Sequence, residues 1–300
     1  MSLIFRKMNF LVFVYFVYLE KIVPLFPLNF LYFAAKLKAI FFYYILPIRK
    51  KTAYKNLKMA FPEKSEKDIH EIIKKCYLNI LIVIIEFFYM RKFNSSQLNK
   101  KFIIVNEQQM REKLKPGKGI IFVSAHFGNW ELMAYGGALI FGKPLCVIVK
   151  EQSNKPLDKR INEIREYNGN RMVEMKKSAR EVLKALNSNK IVAILGDQSA
   201  PAESVKVKFF SQEITAFEGA AAFALKTGAP MFWGVPVRDK NHNYSLEAIE
   251  IDTSDYKEYN SENIKALTQK TISLLEEYIR KYPDHWLWFH RRFKSVMSYD

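Results

Sequence analysis

The sequence has few of the residues and motifs on which several common classes of protein depend. It contains two cysteines, Cys76 and Cys146, each within an apolar run, which indicates a reducing compartment rather than a disulfide framework. No CxxC or HExxH motif occurs, so no zinc or other metal site is expected. The GxSxG motif is also absent, which argues against a serine hydrolase.

Acidic residues are also scarce relative to basic ones. The chain has 47 Lys and Arg against 30 Asp and Glu, giving a net charge of +17. Such a surplus favours an anionic partner, such as a lipid surface, a phosphorylated substrate, an acidic carrier protein or nucleic acid. Because we find no helix-turn-helix, zinc-finger or RNP-like segment, we expect no nucleic acid partner.

Long uncharged apolar runs are missing even from the most hydrophobic region, residues 1–51. The uncharged run from Met8 to Leu19 is shorter than the roughly 18 residues of a clear transmembrane helix. Pro24 and Pro27 then interrupt any helix. The mixture of aromatic and basic residues predicts a membrane-anchoring region, either one tilted span or several interfacial helices. The alternative is a buried helical hairpin of a soluble protein.

From residue 102 onward, predicted strands and helices alternate along the chain. This alternation predicts an α/β fold with a mostly parallel central sheet flanked by helices. We expect a domain boundary near residue 52, with a domain over 52–300 whose core covers about 102–300. The predicted strands are 102–105, 120–125, 145–149, 191–195, 231–237 and 244–251, the last two as a hairpin, and the predicted helices are 107–114, 130–141, 155–167, 177–186, 217–226 and 261–281.

The segment His126-Phe-Gly-Asn-Trp-Glu131 follows the predicted strand 120–125. Open α/β sheets place their chemistry at this end of a strand, and Gly128 allows the backbone to fold back. A neutral imidazole can take a proton from a hydroxyl while a carboxylate on its other nitrogen fixes the tautomer. From the residues alone, the alternative is a structural histidine beside a glutamate that favours the helix macrodipole.

This segment resembles the HxxxxD/E motif of the glycerolipid and lysophospholipid acyltransferase superfamily. Its Gly-Asn-Trp-Glu form resembles the lipid A biosynthesis acyltransferases, the branch that adds secondary acyl chains, and other segments between about residues 49 and 294 follow the order of that branch. The resemblance implies that His126 is the general base and that Glu131 orients its ring. It also assigns Asn129 to substrate binding.

A second basic segment matches the same branch. Asn154, Leu157, Arg165 and Gly169 follow the order of its second conserved block. The resemblance implies that Arg165 stabilises the oxyanion of a tetrahedral intermediate. The alternative for Arg165 is a solvated helix face of alternating charges.

Two polar positions further along the chain complete the predicted substrate site. Asp197 and Gln198 end the strand 191–195 and look like the Asp-Gln pair of the branch, where the aspartate would hold a basic residue such as Arg165 or bind an acceptor hydroxyl. The alternative is a strand-end turn in which the carboxylate binds backbone amides. Thr215 lies in a later segment that follows the order of the branch, and we assign it to substrate binding.

The last segment, residues 284–294, resembles the closing Trp-x-Trp-x-His-Arg-Arg of the branch. Arg291, Arg292 and Lys294 are therefore expected to meet substrate phosphates, which guanidinium groups bind bidentately. The alternative is a basic tail on the membrane face.

By resemblance, the reaction is transfer of an acyl chain from acyl carrier protein to a hydroxyacyl group of a lipid A precursor or related glycolipid. The expected location is the cytoplasmic face of the bacterial inner membrane, and an acidic carrier suits the +17 surface. No cofactor is expected, since acyl carrier protein or acyl-CoA brings the acyl chain as a co-substrate. The alternatives are a lysophospholipid or other glycolipid acyltransferase that uses acyl-CoA, or a non-catalytic basic membrane-binding protein.

Overall fold

The computed structural model describes residues 3–256 and 258–299, and the side chains of these from residue 7 onward. The ends of the two predicted domains, residues 1–2 and 300, lie outside this range. The helices in the described part are α1 (Leu3–Ile22), α2 (Leu28–Tyr44), α3 (Lys50–Ala60), α4 (Glu66–Tyr89), α5 (Ser95–Lys101), α6 (Glu107–Leu114), α7 (Trp130–Phe141), α8 (Lys155–Arg165), α9 (Ser178–Asn187), α10 (Gly219–Thr227) and α11 (Ser261–Lys281). The strands are β1 (Phe102–Val105), β2 (Ile120–Ser124), β3 (Cys146–Val149), β4 (Arg171–Glu174), β5 (Ile191–Leu195), β6 (Lys206–Phe209), β7 (Gln212–Thr215), β8 (Met231–Trp233), β9 (Pro236–Arg238), β10 (Tyr244–Glu247) and β11 (Ile249–Ile251).

A six-stranded sheet with the order β11-β8-β2-β5-β3-β4 organises the fold. The pairs β8–β2, β2–β5, β5–β3 and β3–β4 are parallel, whereas β11–β8 is antiparallel. The α/β class is therefore confirmed, with sheets of mixed direction. Parallel neighbours place their carboxyl ends at one edge, and the register of Ser124 with Leu195 brings the ends of β2 and β5 together.

The predicted hairpin between residues 231 and 251 forms, but each of its arms is divided between two sheets. β8 pairs with β11 in the six-stranded sheet, and β9 pairs with β10 in a three-stranded sheet that β1 completes. Gly234 lies at the crossing, where an added Cβ would be 2.7 Å from the Glu247 carbonyl oxygen. The two backbones approach so closely at this point that a side chain would not fit.

Helices α1 and α2 expose many large apolar side chains. The 3-10 turn Val23–Leu25 separates α1 from α2, and the interruption falls at the two prolines as predicted. The stretch Lys7–Leu25 is long and apolar enough to cross a membrane, with a mean hydropathy of 1.5, and 0% of it is buried within the protein. A buried hairpin therefore does not describe this stretch. The exposed large apolar residues of the two helices include Met8, Phe10, Leu11, Val12, Val14, Tyr15, Tyr18, Phe30, Phe33, Leu37, Ile40, Phe41 and Tyr44.

The carboxyl end of α1 is fastened to the rest of the protein. Glu20 accepts hydrogen bonds from Arg91 (2.9 Å) and from Arg160 Nε (2.7 Å). One turn earlier, the ring of Phe16 lies 4.9 Å from that of Phe88 on α4. Helix α1 is thus held by charge and by aromatic packing on the side of the fold that contains α4 and α8.

Candidate active site

His126 and Asp197 meet at the carboxyl edge of the central sheet, two residues beyond the ends of β2 and β5. The ring Nδ1 of His126 lies 2.8 Å from Oδ1 of Asp197. The other oxygen, Oδ2, accepts hydrogen bonds from the His126 backbone N–H (3.0 Å) and from the Trp286 indole (2.8 Å). Because an ionised carboxylate only accepts hydrogen bonds, Nδ1 carries the proton and Nε2 presents a lone pair, to which the side-chain amide of Gln198 can donate at 3.3 Å.

Each member of this pair stabilises the charged form of the other. Burial of Asp197 opposes ionisation, but the nearby His126 and the hydrogen bonds from His126 and Trp286 outweigh it and lower the pKa of Asp197 to about 2. Burial likewise disfavours the charged imidazole, yet the Asp197 carboxylate outweighs burial and raises the pKa of His126. The arrangement holds the ring in one orientation and stabilises the imidazolium that forms when Nε2 takes a proton.

Glu131 occupies a different position from the one expected. Its oxygens pair with Arg165, Oε2 with Nε at 2.9 Å and Oε1 with Nη2 at 2.5 Å. Asp197, rather than Glu131, is hydrogen-bonded to the ring of His126. The expectation that Glu131 orients the imidazole is therefore corrected, and so is the expectation that Asp197 holds Arg165. The physical reason is that α7 begins at Trp130, so Glu131 lies in the first helical turn and meets the end of α8.

The ion pair between Glu131 and Arg165 is strong and mostly shielded from solvent. The side chains are 14% and 26% exposed. Burial opposes both charges, but the Arg165 guanidinium outweighs it and lowers the pKa of Glu131, while the Glu131 carboxylate raises the pKa of Arg165. Both groups therefore remain charged beside His126.

The turn between His126 and α7 requires a glycine. Gly128 has a φ of +53°, and an added Cβ would lie 1.9 Å from the backbone oxygen of Pro236. Its N–H donates to the carbonyl of His285 at 2.9 Å. The next residue, Asn129, caps α7 by accepting a hydrogen bond from the N–H of Leu132 at 2.9 Å.

A buried glutamate on α4 is hydrogen-bonded to Asn129 of this turn. Glu86 on α4 is 0% exposed and forms an ion pair with Lys101 at 2.9 Å. It also accepts hydrogen bonds from Tyr32 (2.6 Å), Asn129 (2.6 Å) and Tyr244 (2.5 Å). Both polar atoms of the Asn129 side chain are thus used inside the protein. This placement corrects the expectation that Asn129 binds substrate, because the residue is 0% exposed.

His126 opens into a cavity, hereafter the His126 cavity, whose empty space is about 1320 Å³ when the solvent at its mouth is included. Of the predicted site residues, this cavity brings together His126, Glu131, Arg165, Gln198 and Lys294. The side-chain nitrogen of Gln198 lies 3.3 Å from Nε2 of His126, which places it beside the reactive nitrogen. Further polar residues of the lining are Trp130, Lys150, Gln152, Asn170, Ser199 and His290.

Besides Asn129 and Asp197, three other predicted residues lie outside the lining of this cavity. Thr215 is buried, and its hydroxyl donates to the carbonyl of Ala200 at 3.0 Å. Arg292 is 1% exposed and donates from Nη1 to the Thr215 carbonyl at 2.9 Å, and burial lowers the pKa of Arg292 to about 10. These positions correct the expectation that Thr215 and Arg292 contact substrate. Arg291 is exposed, and its contact with phosphate stays a prediction.

Two functional contacts were missed at the level of sequence. Trp286 was noted only as part of the closing segment, yet its indole holds Asp197. Glu86 is not among the predicted site residues, although a carboxylate within an apolar run is the signal of a paired buried charge. Among residues 3–256 and 258–299, no group of three or more His, Cys, Asp or Glu side chains is placed to hold a metal ion.

Comparison with known proteins identifies the family of the chain. Residues 4–295 match the family described as "Bacterial lipid A biosynthesis acyltransferase". The chain is similar to the lipid A biosynthesis lauroyltransferase of Escherichia coli (strain K12), with 25% identity over 252 residues, 82% of this chain and 79% of that protein. It is 23% identical to the phosphatidylinositol mannoside acyltransferase of Mycolicibacterium smegmatis over 215 residues, 67% of this chain and 65% of that protein.

A third relative extends over the same part of the chain. The lipid A biosynthesis palmitoleoyltransferase of Escherichia coli (strain K12) is 22% identical over 251 residues, 82% of this chain and 79% of that protein. The family match covers nearly the whole sequence and includes the motif at His126. The chain therefore belongs to the bacterial lipid A biosynthesis acyltransferase family, and it is an acyltransferase.

Proposed function

We propose that this acyltransferase moves an acyl chain from acyl carrier protein to the hydroxyl of a hydroxyacyl group on a lipid A precursor or a related glycolipid. The observation that carries the proposal is the hydrogen bond between His126 and Asp197, which leaves the lone pair of Nε2 at the His126 cavity, beside Gln198. Relatives named for lipid A and for phosphatidylinositol mannoside support a glycolipid acceptor. The net charge of +17 favours an acidic carrier as donor.

His126 acts as the general base in this proposal. Nε2 takes the proton of the acceptor hydroxyl as its oxygen attacks the carbonyl carbon of the thioester. Asp197 accepts the hydrogen bond from Nδ1 and stabilises the imidazolium. The tetrahedral intermediate then collapses with cleavage of the carbon–sulfur bond, and the imidazolium returns its proton to the departing thiolate. The products are an ester and a free thiol, and the chain itself is not acylated.

Arg165 is the proposed donor to the oxyanion of the intermediate. It lines the His126 cavity, and its two hydrogen bonds with Glu131 hold the guanidinium in place. A donor fixed in advance loses little energy to reorganisation when charge develops on the carbonyl oxygen. Glu131, the last residue of the motif, is then a positioning residue for Arg165 and does not orient the ring of His126.

The N-terminal helices would bring the site to its lipid acceptor. The exposed apolar side chains of α1 and α2 suit insertion into a bilayer, and the surplus of basic residues suits anionic headgroups. We propose that the protein sits at the cytoplasmic face of the bacterial inner membrane, where acyl carrier protein can approach from the cytoplasm.

The proposal is tested by mass spectrometry of the products formed from purified protein, defined acyl carrier proteins and a hydroxyacyl lipid A precursor. We expect a product heavier by one acyl group, which mild alkali removes as an ester. Parallel reactions replace the donor by acyl-CoA and the acceptor by a lysophospholipid. Transfer to the lysophospholipid without transfer to the glycolipid would contradict the proposed acceptor, and a preference for acyl-CoA would contradict the proposed donor.

A further inference from the structure

Two apolar cavities adjoin the His126 cavity. One, the α10 cavity, lies beneath α10 and α11 and has an empty space of about 830 Å³ when the solvent at its mouth is included, with a lining that includes Val123, Ile194, Ala221, Phe223, Trp233 and Ile272. The other, the α7 cavity, lies beneath α7 and has an empty space of about 520 Å³ when the solvent at its mouth is included, with a lining that includes Phe122, Gly137, Ile140, Phe141, Leu145 and Ala193.

The two cavities lie on opposite faces of the central sheet. In the register of β2 with β5, Phe122 pairs with Ala193 and Val123 pairs with Ile194. Successive residues of a strand point to opposite faces. The first pair lines the α7 cavity and the second lines the α10 cavity, so the sheet separates the two spaces.

Both cavities begin in the wall of the His126 cavity. The His126 cavity shares Ile148, Met175 and Phe217 with the α10 cavity. It shares Met133, Ala134 and Ala193 with the α7 cavity. The site therefore has one apolar arm on each face of the sheet, and each arm shares wall residues with the His126 cavity.

The shape of the α7 cavity suits a hydrocarbon chain. Met133 and Phe141 are the first and last α7 residues of its lining, which is about 12 Å along the helix axis. Gly137 lets the backbone of α7 pack closely on Leu145, because a Cβ at this position would lie 2.9 Å from Cδ1 of Leu145. Met133 lies where the two cavities meet, and its flexible side chain can adapt to a bound chain.

The α7 cavity also lies on the side of the protein that holds the membrane helix. Leu132 and Tyr135 of α7 pack in one apolar cluster with Phe16 and Leu19 of α1. Helix α1 and the α7 cavity thus lie on the same side of the central sheet, with α7 between them. A lipid anchored in the bilayer is the substrate that approaches from this side.

We propose that the α7 cavity binds the acyl chain of the acceptor that carries the reacting hydroxyl, and that the α10 cavity binds the acyl chain of the donor. The proposal rests on the proposed function, because an ester formed on a hydroxyacyl chain is a branch point from which two hydrocarbon chains diverge. A site with one apolar arm on each face of the sheet accommodates both chains at once.

Reciprocal cavity-filling variants test this assignment. Gly137→Leu fills the α7 cavity, and Ala221→Leu fills the α10 cavity as its matched control. Each variant is given an equimolar pool of acyl carrier proteins with different chain lengths and a series of glycolipids with hydroxyacyl chains of different lengths. Mass spectrometry reports which donor and acceptor chains enter the product, and thermal unfolding reports whether each variant is folded.

We expect Gly137→Leu to raise the KM for long-chain acceptors by about tenfold or more and to leave the preferred donor length unchanged. Ala221→Leu should shorten the preferred donor chain and leave acceptor preference unchanged. The opposite pattern, or unchanged preferences in both folded variants, would overturn the proposal. If Gly137→Leu does not fold, Gly137→Ala takes its place, and an unaltered acceptor-length optimum in that variant overturns the assignment. Failure of the wild-type protein to transfer any chain would instead overturn the proposed function.

Discussion

The imidazole of His126 and the carboxylate of Asp197 form a 2.8 Å hydrogen bond across 71 positions of the chain. Parallel pairing of β2 and β5 produces this contact, because each residue follows its strand end by two positions. The ring is therefore controlled by a residue from a neighbouring strand. Glu131, five positions away in the motif, instead holds Arg165.

Asp197→Asn should separate the role of this carboxylate from that of Glu131. An amide at this position no longer stabilises the imidazolium, so we expect kcat to fall by about 10³-fold or more. The pKa of His126 should also fall, because the Asp197 carboxylate is what raises it against the effect of burial. The measurement is kcat against pH. Glu213→Gln, which changes an exposed carboxylate on β7, is the control and should leave the profile unchanged.

The wild-type pH profile should show the raised pKa of His126 directly. The base works in its neutral form, so kcat/KM should rise with pH through a pKa above the ordinary value of 6.5. If kcat/KM instead rises through a pKa well below 6.5, the proposed stabilisation of the His126 imidazolium by Asp197 is contradicted.

The same pair should make stability depend on pH. Asp197 has a pKa of about 2 in the folded protein against 3.8 ordinarily, so its contribution is present above 3.8 and is lost as pH falls towards 2. His126 has a raised pKa, so its contribution is present below 6.5 and is lost as pH rises through its folded pKa. Thermal unfolding across pH should show both losses in the wild type, and both should be reduced in Asp197→Asn.

Arg165→Ala should test the proposed oxyanion donor. Removal of one such donor costs about 3 kcal/mol of transition-state stabilisation, so we expect kcat to fall by about 100-fold with little change in KM. Arg165→Lys keeps the charge but loses the paired geometry with Glu131, and it should recover part of the rate. A variant that is less stable but has normal kcat would show that the ion pair is only structural.

Glu86→Ala should destabilise the fold. It leaves Lys101, whose side chain is 11% exposed, without its carboxylate partner, and loss of one member of a buried pair costs about 3–5 kcal/mol. Denaturant unfolding in detergent measures the change. Glu71→Ala on the same helix removes an exposed partner of Lys74 and should change the free energy of unfolding by no more than about 1 kcal/mol. Equal losses of stability in the two variants would contradict the importance assigned to the buried Glu86–Lys101 ion pair.

Local features of the site could be predicted from the sequence because they depend on neighbouring residues. The apolar run of β2, the glycine at position 128 and the start of α7 at Trp130 lie where expected. The partner of His126 could not be predicted in this way, because it depends on which strands are neighbours. The motif predicts that Glu131, the carboxylate nearest in sequence, is hydrogen-bonded to the imidazole. Strand order places Asp197 there instead.

The fold shows the same limit on prediction. Strands β1 and β5 lie where the apolar pattern placed them, but the hairpin 231–251 was expected as one unit and is divided at Gly234 between two sheets. The strand β4 and the β6–β7 hairpin were not predicted, because their segments are short and rich in charged residues. Their pairing depends on partners that are distant in sequence or on tight turns, and not on an apolar run.

The most direct test of the account is the rate of acyl transfer by His126→Ala under saturating acyl carrier protein donor and glycolipid acceptor. We expect a loss of about 100-fold or more in kcat, with thermal unfolding close to that of the wild type. A folded His126→Ala protein that transfers the acyl chain at a rate within a few-fold of the wild type would contradict the claim that this imidazole removes the proton.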